Sequence, residues 1–176
     1  PAAHTSHFEL AGNTEEREAE AGDDRGDARS GAGRRCRALP TKQTTLIGLD
    51  TNVLVRYFTQ DDPIQSARAI ELIEGRLQED EPGFVGIVAM VEMAWVLERA
   101  YGLGEQELAA IIERLLQAPV LVVENEVEVF TALTALKEGR GDFADIVLGE
   151  LGRRAGCSVT FTFDRKASRL PHFALA

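Results

Sequence analysis

The chain has few of the residues on which several common chemistries depend. Its two cysteines, Cys36 and Cys157, are too few for a disulfide framework and leave no thiolate cluster for zinc. That usage fits a reducing, cytoplasmic setting. Of three histidines, His4 and His7 fall in a stretch that reads as a tail, leaving only His172. A histidine acid and base pair or a Ser-His-Asp triad is therefore not expected. The longest apolar run, "FVGIVAMV" from Phe84 to Val91, is far short of the roughly 20 residues that cross a bilayer, so no membrane partner is expected. No basic segment followed by an apolar core and a small-residue cleavage site opens the chain, so export is not expected either. Positive charge is scarce too: 19 Lys and Arg stand against 29 Asp and Glu, a formal charge of −10. Such a chain repels nucleic acid at long range and does not coat DNA or RNA through a basic face. A nuclease is still allowed, because carboxylates gathered around a divalent cation count as negative in the sequence while the loaded site is far less so.

What is present suffices for one domain: 176 residues, 44% of them hydrophobic. Residues 1–44 mix acidic and basic side chains with Ala and Gly and show no apolar period. They are expected to form a disordered tail, or to be upstream sequence read from a start codon placed too early. Residues 45–176 change in texture. "TLIGLD" is a short β-type run, and "TNVLVRYF" has helical spacing with Thr51 or Asn52 as its cap. "DDPIQSARAIELIEGRL" predicts a helix capped by Asp62 with Pro63 in its first turn and Ile64, Ala67, Ile70 and Leu72 or Ile73 on the inner face. A strand around Phe84 leads into "IVAMVEMAWVLERAYG", a mostly buried helix closed by Gly102. Beyond it, strands at "VLVV" and "SVTFTF" alternate with helices at "GEQELAAIIERLLQ", "VEVFTALTALKEG" and "FADIVLGELGRRAG". Strand-then-helix order repeated in this way implies a parallel sheet covered by helices on both faces.

In such a sheet functional residues sit at the carboxyl ends of strands. Asp50 ends the first strand and Asp164 follows the fourth. Either alone reads as a turn or cap aspartate. Asp142 and Asp145 stand three apart at the head of a helix, where a cap and a first-turn acid are ordinary. Glu92 is harder to explain, because its helical neighbours Val88, Ala89, Trp95 and Val96 are all apolar. Its carboxylate is expected to face inward, where it must be paired with an arginine such as Arg99 or Arg68, hydrated, or bound to a metal. If Asp50, Glu92, Asp145 and Asp164 converge, each pair about 4 Å apart repels by about 4 kcal/mol at an effective dielectric of about 20. Hard oxygen donors without His or Cys select Mg²⁺ or Mn²⁺. A carboxylate-held Mg²⁺ that keeps water suits cleavage of phosphate esters.

These four segments, "LIGLDTNVLVRYF", the glutamate of "VEMAWVLERAYG", "GDFADIVLGELGRRAGC" and "TFTFDRKASRL", resemble in order the signatures of PIN-domain ribonucleases, specifically the VapC-like toxins of type II toxin-antitoxin pairs. The resemblance spans about Thr45 to the C-terminus. It implies a three-layer α/β/α sandwich around a mainly parallel sheet of four or five strands, and a Mg²⁺-dependent endoribonuclease that forms a homodimer and is inhibited by a cognate antitoxin. By position, Asp50, Glu92, Asp145 and Asp164 match the family's acidic quartet. Asp142 matches an additional acidic position and reads as cap and outer support. Asn52 and Thr162 flank matched positions, as supports for the carboxylates or as an ordinary cap and strand residue. Arg165, Lys166 and Arg169 are candidates for RNA phosphates, whereas Arg153 and Arg154 fit better as helix-dipole partners. The chain ends soon after "PHFALA", so a last edge strand is expected to be short or missing.

Two rival readings fit some of the same residues. A phosphatase of the haloacid dehalogenase type also opens with an aspartate after a first strand, but it wants a second aspartate where this chain has Asn52, and a lysine motif that is not evident. The other is a non-catalytic PIN-like module that binds RNA or a protein.

Overall fold

The structure, a computed structural model, describes residues 45–176. The expected tail at 1–44 lies outside the described residues. Five short strands and six α-helices follow one another in the order the sequence implies: β1 (Ile47–Gly48), α1 (Thr51–Thr59), α2 (Pro63–Ile70), β2 (Gly83–Val85), α3 (Ile87–Tyr101), α4 (Glu105–Gln117), β3 (Leu121–Val123), α5 (Glu126–Lys137), α6 (Phe143–Arg154), β4 (Thr160–Thr162) and β5 (Phe173–Leu175). Every pairing is parallel. The expected α/β architecture is present, with its strands in two groups, β1-β2-β3 and β4-β5, instead of one continuous sheet. β1 is two residues long, and Ile47 and Leu49 donate to Pro82 and Phe84 on the β2 side. The last strand is short but present: β5 pairs with β4 from Thr160↔Phe173 to Thr162↔Leu175.

The core is built from the inner faces of the helices against the strands. Leu54, Val85, Met90, Met93, Leu97, Leu108, Ile112, Val129 and Phe143 are all fully buried. Helices meet in the sequence α2 to α1, α1 to α3, α3 to α6, α6 to α5 and α5 to α4, so each carboxylate-bearing helix is braced by a neighbour. Asp62 caps α2 through the Ile64 and Gln65 amides, with Pro63 in the first turn as expected. The inner face of this helix differs from the expected one. Ile73 is buried as expected, but Ser66 and Ala69 are the residues buried before it, whereas Ile64 is 68% exposed and Ala67 is exposed. The small Ser66 and Ala69 side chains suit a close crossing with α1, and a π-helical turn from Glu71 to Arg76 then shifts the helical phase of the residues beyond Ile70. At the opposite end of α1, Arg56 pairs with Asp61 at 2.6 Å, and the Tyr101 hydroxyl donates to Asp61 at 2.7 Å, tying α1 to the C-terminal end of α3.

Two glycines on α6 let the second sheet approach. A Cβ at Gly149 would lie 2.6 Å from the Phe173 ring of β5, and one at Gly152 would lie 3.1 Å from Thr160 Oγ1 of β4. This close seating brings the end of β4, and so Asp164, toward the helix that carries Asp145. Gly149→Ala gains about 1 kcal/mol of helix propensity, but the new methyl meets a rigid ring, an overpacking that costs about 1–3 kcal/mol. We expect a net loss of about 1 kcal/mol, read as a lower urea midpoint; a raised midpoint would show that Phe173 does not constrain α6.

Candidate active site

Parallel strands deliver their carboxyl ends, and the helix starts that follow, to the same edge. Asp50 and Asp164 each stand two residues past a strand, and Asp142 occupies the N-cap of α6. Their side chains are used differently. Asp142 accepts from the Ala144 amide at 2.9 Å, an ordinary cap. Asp164 Oδ1 accepts from the Lys166 amide at 2.6 Å and opens the short 3₁₀ turn Ala167–Arg169, while Thr162 Oγ1 accepts from the Asp164 amide at 3.0 Å. Asp50 holds the N-cap position of α1, the place expected for Thr51 or Asn52, yet takes no hydrogen bond from that helix's backbone. Its one side-chain partner among the described residues is Asn52, which donates to Oδ2 at 3.2 Å. A filled cap stabilises a helix by about 1 kcal/mol, so Asp50 forgoes a local gain. Asp145, half-buried one turn into α6, accepts no hydrogen bond among the described residues.

Glu92 corrects an expectation. It does not face inward. Met90, Met93, Ala94 and Leu97 form the buried face of α3, and Glu92 lies on the exposed one between Val88, 76% exposed, and Trp95, 57% exposed. The pattern misled because apolar residues occupy both faces of this helix. No arginine pairs with Glu92 among the described residues; Thr51 Oγ1 donates to its Oε2 at 2.6 Å across 41 residues of sequence.

The carboxylates form two groups. Asp142 and Asp164 are close enough to act on Asp145: burial first, then these two, push its carboxyl above the usual range, with no cation opposing them. Glu98 of α3 joins this group, raised by burial and by Asp142 and partly relieved by Arg99. The second is Glu92, held by Thr51, the residue that follows Asp50. Among the described residues no three His, Cys, Asp or Glu side chains stand close enough together to hold one metal ion. Repulsion reaches farther than coordination. Mg²⁺ keeps several of its waters and is commonly engaged by only one or two carboxylates, so a pair is enough to meet it. Asp145 and Asp164, whose charges reach each other, are the pair that would engage it; Asp50, at the start of α1, and Glu92 are candidates by position.

The arginines divide as well. Arg153 pairs with Glu150 at 2.9 Å, and Arg154 reaches the buried Glu128 at 3.1 Å and Asn125 Oδ1 at 2.5 Å. Both are spent inside the chain. Arg165, Lys166 and Arg169 are exposed around the turn after Asp164 and make no ion pair among the described residues. Three participants had no sequence argument as site residues: Thr51, Glu98, and Glu124, whose Oε2 accepts from the Ile87 amide at 2.7 Å and so caps the helix bearing Glu92. Only Thr51, adjacent to Asp50, offered a signal. The other two are brought in by contacts distant in sequence.

The profile of the PIN domain family matches residues 47–172. This chain belongs to the PIN domain family. PIN domains are typically nucleases and generally use divalent metal ions, which sets aside the phosphatase reading. No curated protein matches the chain. Among the described residues of this PIN domain, no helix is long and apolar enough to cross a membrane.

An acid whose folded pKa is raised weakens the fold once pH exceeds its ordinary range, and the penalty vanishes at acid pH, where it is protonated in both states. For metal-free protein at pH 7 we therefore expect Asp145→Asn to raise Tm by about 1–3 °C, a solvent-screened gain of about 0.5 kcal/mol. The difference should close below about pH 4. A lower Tm at pH 7 would show that Asp145 has a stabilising partner.

Proposed function

We propose that this PIN domain is a metal-dependent endoribonuclease, using Mg²⁺ or Mn²⁺, and acts as the VapC-like toxin of a type II toxin-antitoxin pair in the cytoplasm. The observation that carries the reading is the half-buried Asp145 carboxylate, left without a hydrogen-bond donor among the described residues and raised first by burial and then by Asp142 and Asp164. Asp145 lies in the first turn of α6, where its charge favours the helix dipole, but its carboxylate receives no hydrogen bond there. Asp50, at a cap position it does not use, supports the same reading.

A bound divalent cation would supply charge neutralisation at the scissile phosphate and a lowered pKa for the attacking water. The chain's own part is to place oxygen donors. Asp145 and Asp164 present carboxylates from adjoining elements, Asp142 keeps the start of α6 formed beneath them, and Asn52 orients Asp50. Arg165, Lys166 and Arg169 offer cations to the RNA backbone next to Asp164, where they fix position and leave the base sequence unread. Phe163, 88% exposed and immediately before Asp164, suits stacking on an unpaired base, which favours single-stranded or looped RNA. The exposed Val88 and Trp95 flanking Glu92 support a face covered by a partner, for which the reading supplies a cognate antitoxin and a second copy of the chain.

One observation favours the alternative, a non-catalytic module that binds RNA or a protein: among the described residues no three acidic groups stand within reach of one ion. A single assay separates the two. Unstructured RNA incubated with Mg²⁺ or Mn²⁺ should be cut at internal positions. EDTA should stop cutting, and Asp50→Asn or Asp145→Asn should lower the rate by at least about 100-fold while the circular dichroism spectrum is kept. Expression without a partner should arrest bacterial growth for wild type alone. RNA that is bound but never cut would support the module, and cutting undiminished in EDTA would refute the metal.

A further inference from the structure

Thr51 is one of three buried polar or charged side chains among the described residues, 6% exposed, at the first position of α1 and next to Asp50. Threonines inside helices commonly return their hydroxyl to the carbonyl four residues earlier. Thr59, Thr131 and Thr134 do so here, at 2.9–3.0 Å. Thr51 has no preceding helical turn to receive its hydroxyl. It donates instead to Glu92 Oε2 at 2.6 Å, on a different helix. The bond is short, as expected for a hydroxyl giving to an ionised carboxylate. Its acceptor is an otherwise exposed glutamate with several rotatable bonds, a side chain that loses considerable freedom when held. α1 and α3 are joined again at their other ends through Arg56, Asp61 and Tyr101, so the frame that carries the bond is fixed.

We propose that Thr51 is a positioning residue: its buried hydroxyl holds the Glu92 carboxylate of α3 against the first residue of α1, the one that follows Asp50, and so pre-sets an acidic group of the site. This rests on the nuclease reading above. Thr51 touches neither substrate nor ion. It acts by fixing which oxygen of Glu92 is occupied, leaving Oε1 free for other work, and by removing the rotamers in which the carboxylate swings into solvent.

Thr51→Val replaces the hydroxyl by a methyl of nearly the same volume, and Thr51→Ser keeps it. We expect Thr51→Val to weaken Mn²⁺ binding, followed by titration calorimetry without RNA, by about 10–100-fold, the usual range for losing an outer hydrogen bond to a ligating carboxylate. Cleavage should fall in kcat at limiting Mn²⁺, with KM for RNA changed less than about twofold. Thr51→Ser should restore both to within about threefold of wild type. Thr51→Ala serves as the hydroxyl-free variant should Thr51→Val fold poorly. In combination with Glu92→Gln, loss of the hydroxyl should add nothing to the effect of Glu92→Gln alone. Wild-type Mn²⁺ affinity in the hydroxyl-free variant, an equal defect in Thr51→Ser, or additive losses in the double variant would overturn the positioning role while leaving the nuclease reading intact. A wild-type protein that binds no Mn²⁺ would overturn both.

Discussion

Like charge held at close quarters is the constraint around which this molecule is arranged. Asp142 and Asp164 each find backbone amides to receive their charge, and in doing so shape a helix start and a turn. Asp145 finds none, and burial together with its two acidic neighbours holds its carboxyl above the usual range. A protein whose net stability is small does not keep such a group for its own folding. The cost is compensated by neighbouring packing, where the fully buried Phe143 anchors the first turn of α6 within the core.

The fold makes this crowding possible. Parallel strands bring successive chain segments to one edge, and each helix that follows begins there. Tight seating of β4 and β5 against Gly149 and Gly152 then carries Asp164 toward α6. At the other group, two helices separated widely in sequence are stapled at two points, by Thr51 with Glu92 and by Asp61 with Tyr101 and Arg56. Exposed residues around these groups, Phe163, Trp95, Val88 and the cations after Asp164, give the acidic edge a rim able to meet a larger partner.

Family membership and geometry bear on different parts of the reading. The match over residues 47–172 establishes a PIN domain. The use of each carboxylate comes from its own hydrogen bonds. Asp142 is spent as a cap, Asp50 is not, although both hold the same position at the start of a helix.

Element order, parallel pairing and most helix ends were legible in the chain because they follow from local chemistry: Pro63 after Asp62, Gly102 in the left-handed conformation, and apolar runs between them. The acidic candidates were legible for the same reason, as aspartates at predicted strand ends and helix starts. Tertiary structure alone decided what those side chains touch. It turned Glu92 outward, because α3 has apolar residues on both faces and periodicity could not say which one the core would take. It rotated α2, whose small residues pack where its isoleucine was expected. It also recruited Thr51, Glu98 and Glu124, since hydrogen bonds and repulsion depend on distances in space that sequence separation does not encode.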